Sequence, residues 1–168
     1  MNQISIRPIK QADEEQILAL YWETFKEAFK NHLPPDSFKD PKVKKDLFQD
    51  LKEKLKTHAC FMAYDNSCPC LGFIVLSPVP GDKTSMELDK LYISPQAQGK
   101  GLGKFFLNFI KEYAQKKGIS QLIIWTLEKG PGRPFYEHFG AIATGKKGTW
   151  VGNSSIVELI LKINTITS

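Results

Sequence analysis

Residues 91–104 read Leu-Tyr-Ile-Ser-Pro-Gln-Ala-Gln-Gly-Lys-Gly-Leu-Gly-Lys, and this segment decides how the rest of the chain is interpreted. A β-rich run precedes it and an amphipathic helical pattern follows it. Gly99, Gly101 and Gly103 allow the backbone to approach a ligand closely, with amide groups pointing outward. The start of the following helix adds free N–H groups and the positive end of its dipole. The segment therefore predicts a loop that binds a pyrophosphate group.

Two familiar phosphate-binding patterns do not fit this loop. A Walker loop requires G-x-x-x-x-G-K-[ST], but its second glycine position falls on Lys104 and no Ser or Thr follows. A dinucleotide fingerprint requires G-x-G-x-x-G, and its last glycine position falls on Phe106 or on Lys104. The pattern that does fit is Q-x-x-G-x-G, with Gln98, Gly101 and Gly103. A tight glycine turn without a ligand is the alternative interpretation.

The elements around the loop follow from apolar spacing and from turn residues. Their order is β-α-α-β-β-β-α-β-α-β-β, which implies a mixed sheet with helices on its faces. Asp13 is expected to cap the first helix, and the last helix is expected to begin near Pro134, since proline suits a first helical turn. Trp125 is expected in the core, because the run Gln121–Thr126 has the apolar character of a buried strand. The other strands are predicted before Pro8 and at Ala59–Tyr64, Leu71–Leu76, Ser85–Ile93, Ile142–Val151 and Ser155–Ile163.

Length and composition limit the class of protein. The chain has 168 residues, which suggests a single domain spanning 1–168 with a buried core. Hydrophobic residues make up 42% and charged residues 24%, which excludes a disordered or fibrous class. The net charge of +5 favours an anionic partner. Acidic residues interrupt the lysines and no nucleic-acid-binding motif is present, so we expect no nucleic acid partner.

Cysteine usage and hydropathy indicate the compartment. Cys60, Cys68 and Cys70 form no disulfide-like framework, which suits a reducing compartment. No second Cys/His pair stands at ligand spacing, so no metal site is expected. The first ten residues lack an apolar signal region, and no apolar run approaches the roughly 20 residues that span a bilayer. We therefore expect a cytoplasmic protein without a membrane partner.

Two segments resemble those of a known enzyme family. Residues 87–95 read Glu-Leu-Asp-Lys-Leu-Tyr-Ile-Ser-Pro and residues 98–103 read Gln-Gly-Lys-Gly-Leu-Gly; together they resemble the coenzyme A motif of the GCN5-related N-acetyltransferases. Residues 134–141, Pro-Phe-Tyr-Glu-His-Phe-Gly-Ala, resemble the element of that family written FYEKxGF. The resemblance implies an α/β (α+β) fold, with a mixed, mostly antiparallel seven-stranded sheet flanked by about four helices. It also implies acetyl-CoA as the co-substrate.

The resemblance assigns cofactor contacts to particular residues. In this family the strand before the loop pairs its backbone with the pantetheine arm, and that role falls to Leu91, Tyr92 and Ile93. Lys129 stands where the family often has asparagine, so it is expected either to contact the cofactor phosphates or to remain solvated. The pyrophosphate is expected on the amides of Gln98, Gly99, Lys100, Gly101, Leu102, Gly103 and Lys104.

Two side chains are candidates for proton transfer. Glu87 matches a glutamate that acts as the base through water in several members, and it shares a strand face with Asp89. A solvated strand charge is the alternative interpretation of Glu87. Tyr136 matches the tyrosine that lies at the cofactor and protonates the leaving thiolate, while Phe135 and Phe139 are better core candidates on the same helix. An aromatic core residue is the alternative interpretation of Tyr136.

The sequence as a whole predicts an acyltransferase that moves an acetyl group from acetyl-CoA to a primary amine. Transfer is expected to be direct, within a ternary complex. A non-catalytic acyl-CoA-binding sensor or regulatory module is the alternative. In the fold that the resemblance implies, the first two helices and the closing hairpin border the acceptor cleft, here near residues 21–40 and 149–154. The identity of the acceptor is open between a small molecule and a protein amine. Either a monomer or a homodimer is compatible with the sequence.

Overall fold

The computed structural model describes residues 3–165, so residues 1–2 and 166–168 of the expected domain lie outside the described residues. The helices are α1 (Glu14–Phe29), α2 (Pro41–Thr57), α3 (Leu102–Lys116) and α4 (Gly132–His138). The strands are β1 (Ser5–Pro8), β2 (Ala59–Tyr64), β3 (Gly72–Val79), β4 (Asp82–Ile93), β5 (Gln121–Leu127), β6 (Ile142–Val151) and β7 (Ser154–Asn164).

One sheet contains all seven of these strands, in the order β1-β2-β3-β4-β5-β7-β6. The pairing of β4 with β5 is parallel, and every other neighbouring pair is antiparallel. The predicted order of elements and the mixed, mostly antiparallel seven-stranded sheet with four helices are confirmed. None of the helices within residues 3–165 combines the length and apolar composition that a membrane crossing requires.

The sheet separates two hydrophobic cores. On one face, Ile17 and Phe25 of α1 and Leu51 of α2 pack with Phe73 and Val75 of β3. Residues 74 and 76 of β3 face the opposite core, which α3 covers. Because successive strand residues point to opposite faces, β3 is buried on both sides. Since β3 contacts both cores, its side chains position the helices of each face against the centre of the sheet.

The two central strands separate part-way along the sheet. β4 pairs with β5 from Ser85 to Leu88, and the last paired residues are Leu88 and Ile124. Beyond that point β4 continues beside β3 alone, while β5 pairs with β7 as far as Leu127 opposite Glu158. A gap therefore opens between the two strands at the middle of the molecule.

A β-bulge in β4 lies at the start of this gap. Leu76 of β3 is opposite Leu88, whereas Val75 is opposite Lys90, so Asp89 is the extra residue. A bulge bends its strand and increases the local twist, which directs β4 away from β5. Asp89 and Lys90 then both reach the α1–α2 side of the sheet, where each forms ion pairs.

The expectation that Asp13 caps α1 with its side chain is wrong. Asp13 does occupy the position before the helix, but its carboxylate makes no capping hydrogen bond to α1. It accepts two hydrogen bonds from the guanidinium of Arg7, at 2.7 and 2.8 Å, and one from the Lys10 amide at 2.8 Å. The charged partner on β1 is a stronger donor than the neutral helix amides, so the side chain turns towards the sheet.

The expectation for Trp125 near the gap is also wrong, whereas the predicted helix near Pro134 is present. Trp125 is only partly buried, because β4 has left the sheet beside it and the indole borders an open cleft. Burial along β5 alternates instead of being continuous. Helix α4 begins at Gly132, which places Pro134 third in the helix. Proline is tolerated there because amides of the first helical turn need no acceptor within the helix.

Candidate active site

A cleft of about 710 Å³ runs through the gap between β4 and β5. It reaches from the loop before α3, on one side of the sheet, to α1 on the other. Its walls come from distant parts of the chain: Thr24, Ala28 and Phe29 of α1, residues 88–93 of β4, residues 97–99 and 101–104, residues 125–127 of β5, residues 130–132, Phe135, Tyr136 and Phe139 of α4, and Glu158 of β7.

The loop before α3 brings unpaired backbone amides to the cleft. Gly99 and Gly101 have φ angles of 71° and 82°, in the left-handed region that side chains disfavour. Phe105 donates the first hydrogen bond of α3, to the carbonyl of Gly101 at 3.0 Å. Within residues 3–165, the amides of residues 102–104 have no carbonyl acceptor, as is usual at a helix N-terminus. The helix dipole adds positive potential at the same point, so the loop suits an anion.

Gly103 allows α3 and α4 to approach each other closely. A Cβ atom at this position would lie 2.8 Å from the ring of Phe135, which is closer than carbon atoms pack. It would also lie 3.7 Å from the side chain of Ile93 at the end of β4. Because Gly103 has no side chain, the start of α3, helix α4 and the end of β4 can pack closely around the cleft.

The backbone of β4 has a free edge along the cleft. Leu91, Tyr92 and Ile93 pair with β3, but no strand among the described residues pairs with their other edge. The Gln98 side-chain amide donates a hydrogen bond to the Ile93 carbonyl at 3.0 Å, which holds the loop against the strand end. The ring of Tyr92 stacks on Phe73 on the α1 side. Core packing by the side chains and ligand pairing by the main chain are thus compatible here.

Tyr136 combines burial with an unpaired hydroxyl group. Its side chain is 8% exposed, and it is the buried residue of α4, whereas Phe135 and Phe139 are only partly buried. The expectation that these phenylalanines are the better core residues is therefore wrong, because α4 turns Tyr136 inward beside β5. The hydroxyl forms no hydrogen bond with the residues that the structure describes, although the side chain lines the cleft. Burial raises the pKa of Tyr136 well above its ordinary value, so the hydroxyl stays protonated at neutral pH.

Comparison with known families identifies the class of enzyme. Residues 15–141 match the model of the "Acetyltransferase (GNAT) family", which covers most of the chain and includes the loop, the free strand edge and Tyr136. The chain belongs to the GNAT acetyltransferase family. It is an acetyl-CoA-dependent N-acetyltransferase, and the sequence prediction of that family, fold and activity is confirmed.

Individual relatives agree with this membership. The "Uncharacterized N-acetyltransferase YuaI" of Bacillus subtilis (strain 168) is 22% identical over 138 residues, which cover 81% of this chain and 79% of the relative. The PaiA N-acetyltransferase of Thermoplasma acidophilum, solved with coenzyme A, has a TM-score of 0.76 at 20% identity, covering 96% and 99% of the two chains. Spermidine N-acetyltransferase of Vibrio cholerae, solved with CoA and spermine, has a TM-score of 0.70 at 17% identity, covering 97% and 96%. The two structures have the same fold as this chain.

The residues of this GNAT cleft fit acetyl-CoA. The free amides of residues 102–104 match the charge of a pyrophosphate, and the free edge of residues 91–93 matches the amide groups of a pantetheine arm. Lys104 adds a positive charge to the same wall. Within residues 3–165, no group of three or more His, Cys, Asp and Glu side chains is arranged as a metal site.

Three candidate residues of the GNAT motif do not line the cleft. Lys100 and Lys129 are exposed, and neither residue lines the cleft. Glu87 is partly buried on the α1–α2 face, opposite Ser77 of β3, one residue before β4 separates from β5. Leu91, Tyr92, Ile93, Tyr136 and the other predicted loop residues Gln98, Gly99, Gly101, Leu102, Gly103 and Lys104 do line it.

The sequence interpretation missed the acidic and aromatic residues at the α1 end of the GNAT cleft. Asp89, Trp125 and Glu158 line it there. A signal for Glu158 existed, because it is a lone charge in the apolar run from Ile156 to Leu161 of β7. A charge at that position of a hairpin strand is usually solvated, so only the partner strands show that it faces a cleft.

Proposed function

We propose that this GNAT protein, as a single domain spanning 1–168, transfers the acetyl group directly to a primary amine within a ternary complex. The observation that carries the proposal is the convergence of three features on one cleft. They are the free amides of residues 102–104, the unpaired edge of residues 91–93 and the protonated hydroxyl of Tyr136. Bound acetyl-CoA supplies an acyl thioester, and Tyr136 donates a proton to the leaving thiolate.

The positions of the cysteines support direct transfer. Cys60 and Cys70 are buried, and burial raises the pKa of each thiol to about 11. None of the three cysteines, all of which lie in the described part of the chain, lines the cleft. No thiolate is therefore positioned to accept the acyl group before the amine does. All three are free thiols, which supports a reducing, cytoplasmic location.

The acceptor enters, in this proposal, from the α1 side of the sheet. Thr24, Ala28 and Phe29 form that wall, and the carboxylate of Glu158 gives it an acidic group. Acidic groups favour a cationic amine. The relative from Vibrio cholerae is a spermidine N-acetyltransferase solved with spermine, so polyamines belong among the acceptors tested. We further propose that the protein acts without a nucleic acid or membrane partner, as a monomer or a homodimer.

The test is thiol release from acetyl-CoA by the purified full chain with a panel of primary amines. The panel contains polyamines, alkylamines, arylalkylamines and a lysine peptide, and product masses identify the acetylated amine. We expect amine-dependent thiol release and no acetylated protein when acetyl-CoA is present alone. Acyl-enzyme that accumulates without an amine would contradict direct transfer. Tight acetyl-CoA binding with no release for any amine would instead indicate the non-catalytic acyl-CoA-binding module.

A further inference from the structure

Glu158 is a partly buried carboxylate in the cleft that no motif of the family predicts. It lies on β7 between Leu127 of β5 and Lys147 of β6, at the point where β5 has lost β4 as a neighbour. Paired residues of neighbouring strands point to the same face of a sheet, so Glu158 points to the α1–α2 side, as Leu127 does. This is the side from which the proposed acceptor enters.

The carboxylate of Glu158 has no fixed partner. It forms no hydrogen bond and no ion pair with any residue between 3 and 165. Lys147, directly opposite on β6, places its ammonium over the ring of Trp125, 3.7 Å from the ring centroid. A charge that is partly buried without a partner is costly, and it is stabilised when a cation binds beside it.

Asp89 lines the same cleft but is already neutralised. Its carboxylate lies 2.6 Å from the Lys54 ammonium and 3.2 Å from that of Lys90, and it accepts a hydrogen bond from Ser77 at 3.1 Å. Burial alone would raise the pKa of Asp89, but the charges of Lys90 and Lys54 outweigh it and lower the pKa. A carboxylate in this state is a weak base, and its lone pairs are occupied by protein donors.

Two further acidic groups lie on this face, Glu87 of β4 and Asp50 of α2, and Asp50 is paired with Lys54 and Lys90. Glu87 precedes the bulge, lies opposite Ser77 and does not line the cleft. Its negative charge nevertheless acts on Glu158. Burial raises the pKa of Glu158, and Glu87 and Asp89 raise it further, while Lys147 and Lys90 oppose them. The balance is an elevated pKa, and a carboxylate with a higher pKa is a better proton acceptor at neutral pH.

We infer that Glu158, rather than Glu87, pairs with the ammonium group of the acceptor and receives its proton. This inference rests on the proposed function. The carboxylate takes one proton from R–NH₃⁺ and leaves a neutral amine whose lone pair attacks the thioester carbon. A C–N bond forms, the C–S bond breaks, and Tyr136 gives a proton to the thiolate. The nitrogen of the new C–N bond loses a second proton, which restores the Tyr136 hydroxyl, and Glu158 releases the first proton to solvent. The net products are the acetamide, the free thiol and one proton.

The test compares Glu158→Gln with the matched variant Glu87→Gln in the assay for amine acetylation. At neutral pH, Glu158→Gln should lower kcat/KM by about 100-fold or more, which is the usual size of a general-base effect. The defect should shrink as the pH rises towards the acceptor pKa of about 10, because free amine then exists without help. It should also shrink with hydroxylamine or an aromatic amine, which is neutral at the assay pH. Glu87→Gln removes only a charge that adjusts the pKa of Glu158, so its loss should be much smaller than that of Glu158→Gln. Glu128→Gln is the control, because Glu128 pairs with Lys146 and does not line the cleft, and it should stay within about threefold of the wild type.

Two further measurements separate catalysis from folding. Since the pKa of Glu158 is raised in the folded state, ionisation of this group costs stability as the pH rises above its ordinary value, and Glu158→Gln should melt at the same temperature as the wild type or higher at neutral pH. Glu158→Asp keeps a carboxylate and should retain more activity than Glu158→Gln. Acetyl-CoA affinity should be unchanged in both variants.

Two outcomes would overturn the inference, and they are distinguishable. If the wild type acetylates an amine and Glu158→Gln does so within threefold at neutral pH, Glu158 is not the base, and the proposed function stands. A pH-dependent loss in Glu87→Gln instead would return that role to Glu87. If the wild type acetylates no amine of the panel, the proposed function and the inference fail together.

Discussion

At the scale of single residues, Tyr136 shows how a core position acquires chemistry. Its ring is buried like that of a packing residue, yet its hydroxyl has no partner among the described residues and lies beside the cleft. A hydroxyl group that reaches a cleft without a protein partner is free to donate its hydrogen bond to a ligand. Burial raises the pKa of Tyr136, so the hydroxyl keeps its proton at neutral pH.

Tyr136→Phe is the corresponding test, because it removes one hydroxyl and little volume. We expect kcat to fall by about 100-fold, while acetyl-CoA binding measured by calorimetry changes little. Tyr113→Phe is the matched control, since Tyr113 is partly buried on α3 and does not line the cleft. Turnover of Tyr136→Phe within threefold of the wild type would leave Tyr136 as a packing residue.

At the scale of elements, the start of α3 combines three features. They are free backbone amides, the positive end of the helix dipole and a close contact with α4. Two different physical requirements explain why glycine stands at these positions of the loop. Gly101 needs a left-handed backbone, with a φ of 82° and open space around it. Gly103 needs room, because Phe135 occupies the place of its Cβ. A substitution at either position shifts the amides that the pyrophosphate needs.

Gly103→Val should therefore abolish the rise in melting temperature that acetyl-CoA produces. A ligand at 100 times its Kd stabilises the wild type by about 2.7 kcal/mol, which thermal unfolding detects readily. Gly148→Val is the matched control, because Gly148 lies on β6 with open space around it. Circular dichroism should show both variants folded without ligand. A normal ligand shift in folded Gly103→Val would contradict the assignment of the loop.

At the scale of the whole molecule, the ion pair of Arg7 and Asp13 joins the edge strand β1 to the start of α1. The hydrogen bond from Arg7 opposes burial and lowers the pKa of Asp13 to about 2. A carboxylate with a lowered pKa stabilises the fold above its unfolded pKa of 3.8, and that contribution is lost as the pH falls through 2. At low pH the protein therefore loses an ion pair that holds the start of α1 against β1.

Asp13→Asn should reduce the free energy of unfolding at pH 7 by about 1 kcal/mol, as expected for a partly exposed ion pair. The difference from the wild type should shrink as the pH falls from 3.8 to about 2, because the unfolded carboxylate is protonated first and the folded carboxylate only near 2. Urea unfolding at several pH values measures it. Asp36→Asn, which removes an exposed ion pair with Lys39, should show no effect. A pH-independent difference for Asp13→Asn would mean that shape, not charge, is responsible.

The order of elements, the glycine loop and Tyr136 could be read from the sequence because each depends on residues close together in the chain. Glycine spacing governs which backbone angles the loop adopts, and apolar spacing governs which face of α3 is buried. The cleft at the α1 end could not be read this way. Trp125 and Glu158 line it only because β4 leaves β5 after Leu88. Asp89 is neutralised by Lys90, its neighbour on β4, and by Lys54, which α2 brings beside it. Strand neighbours and ion pairs between distant segments follow from packing in three dimensions, and they decide which carboxylate is free to act on an amine.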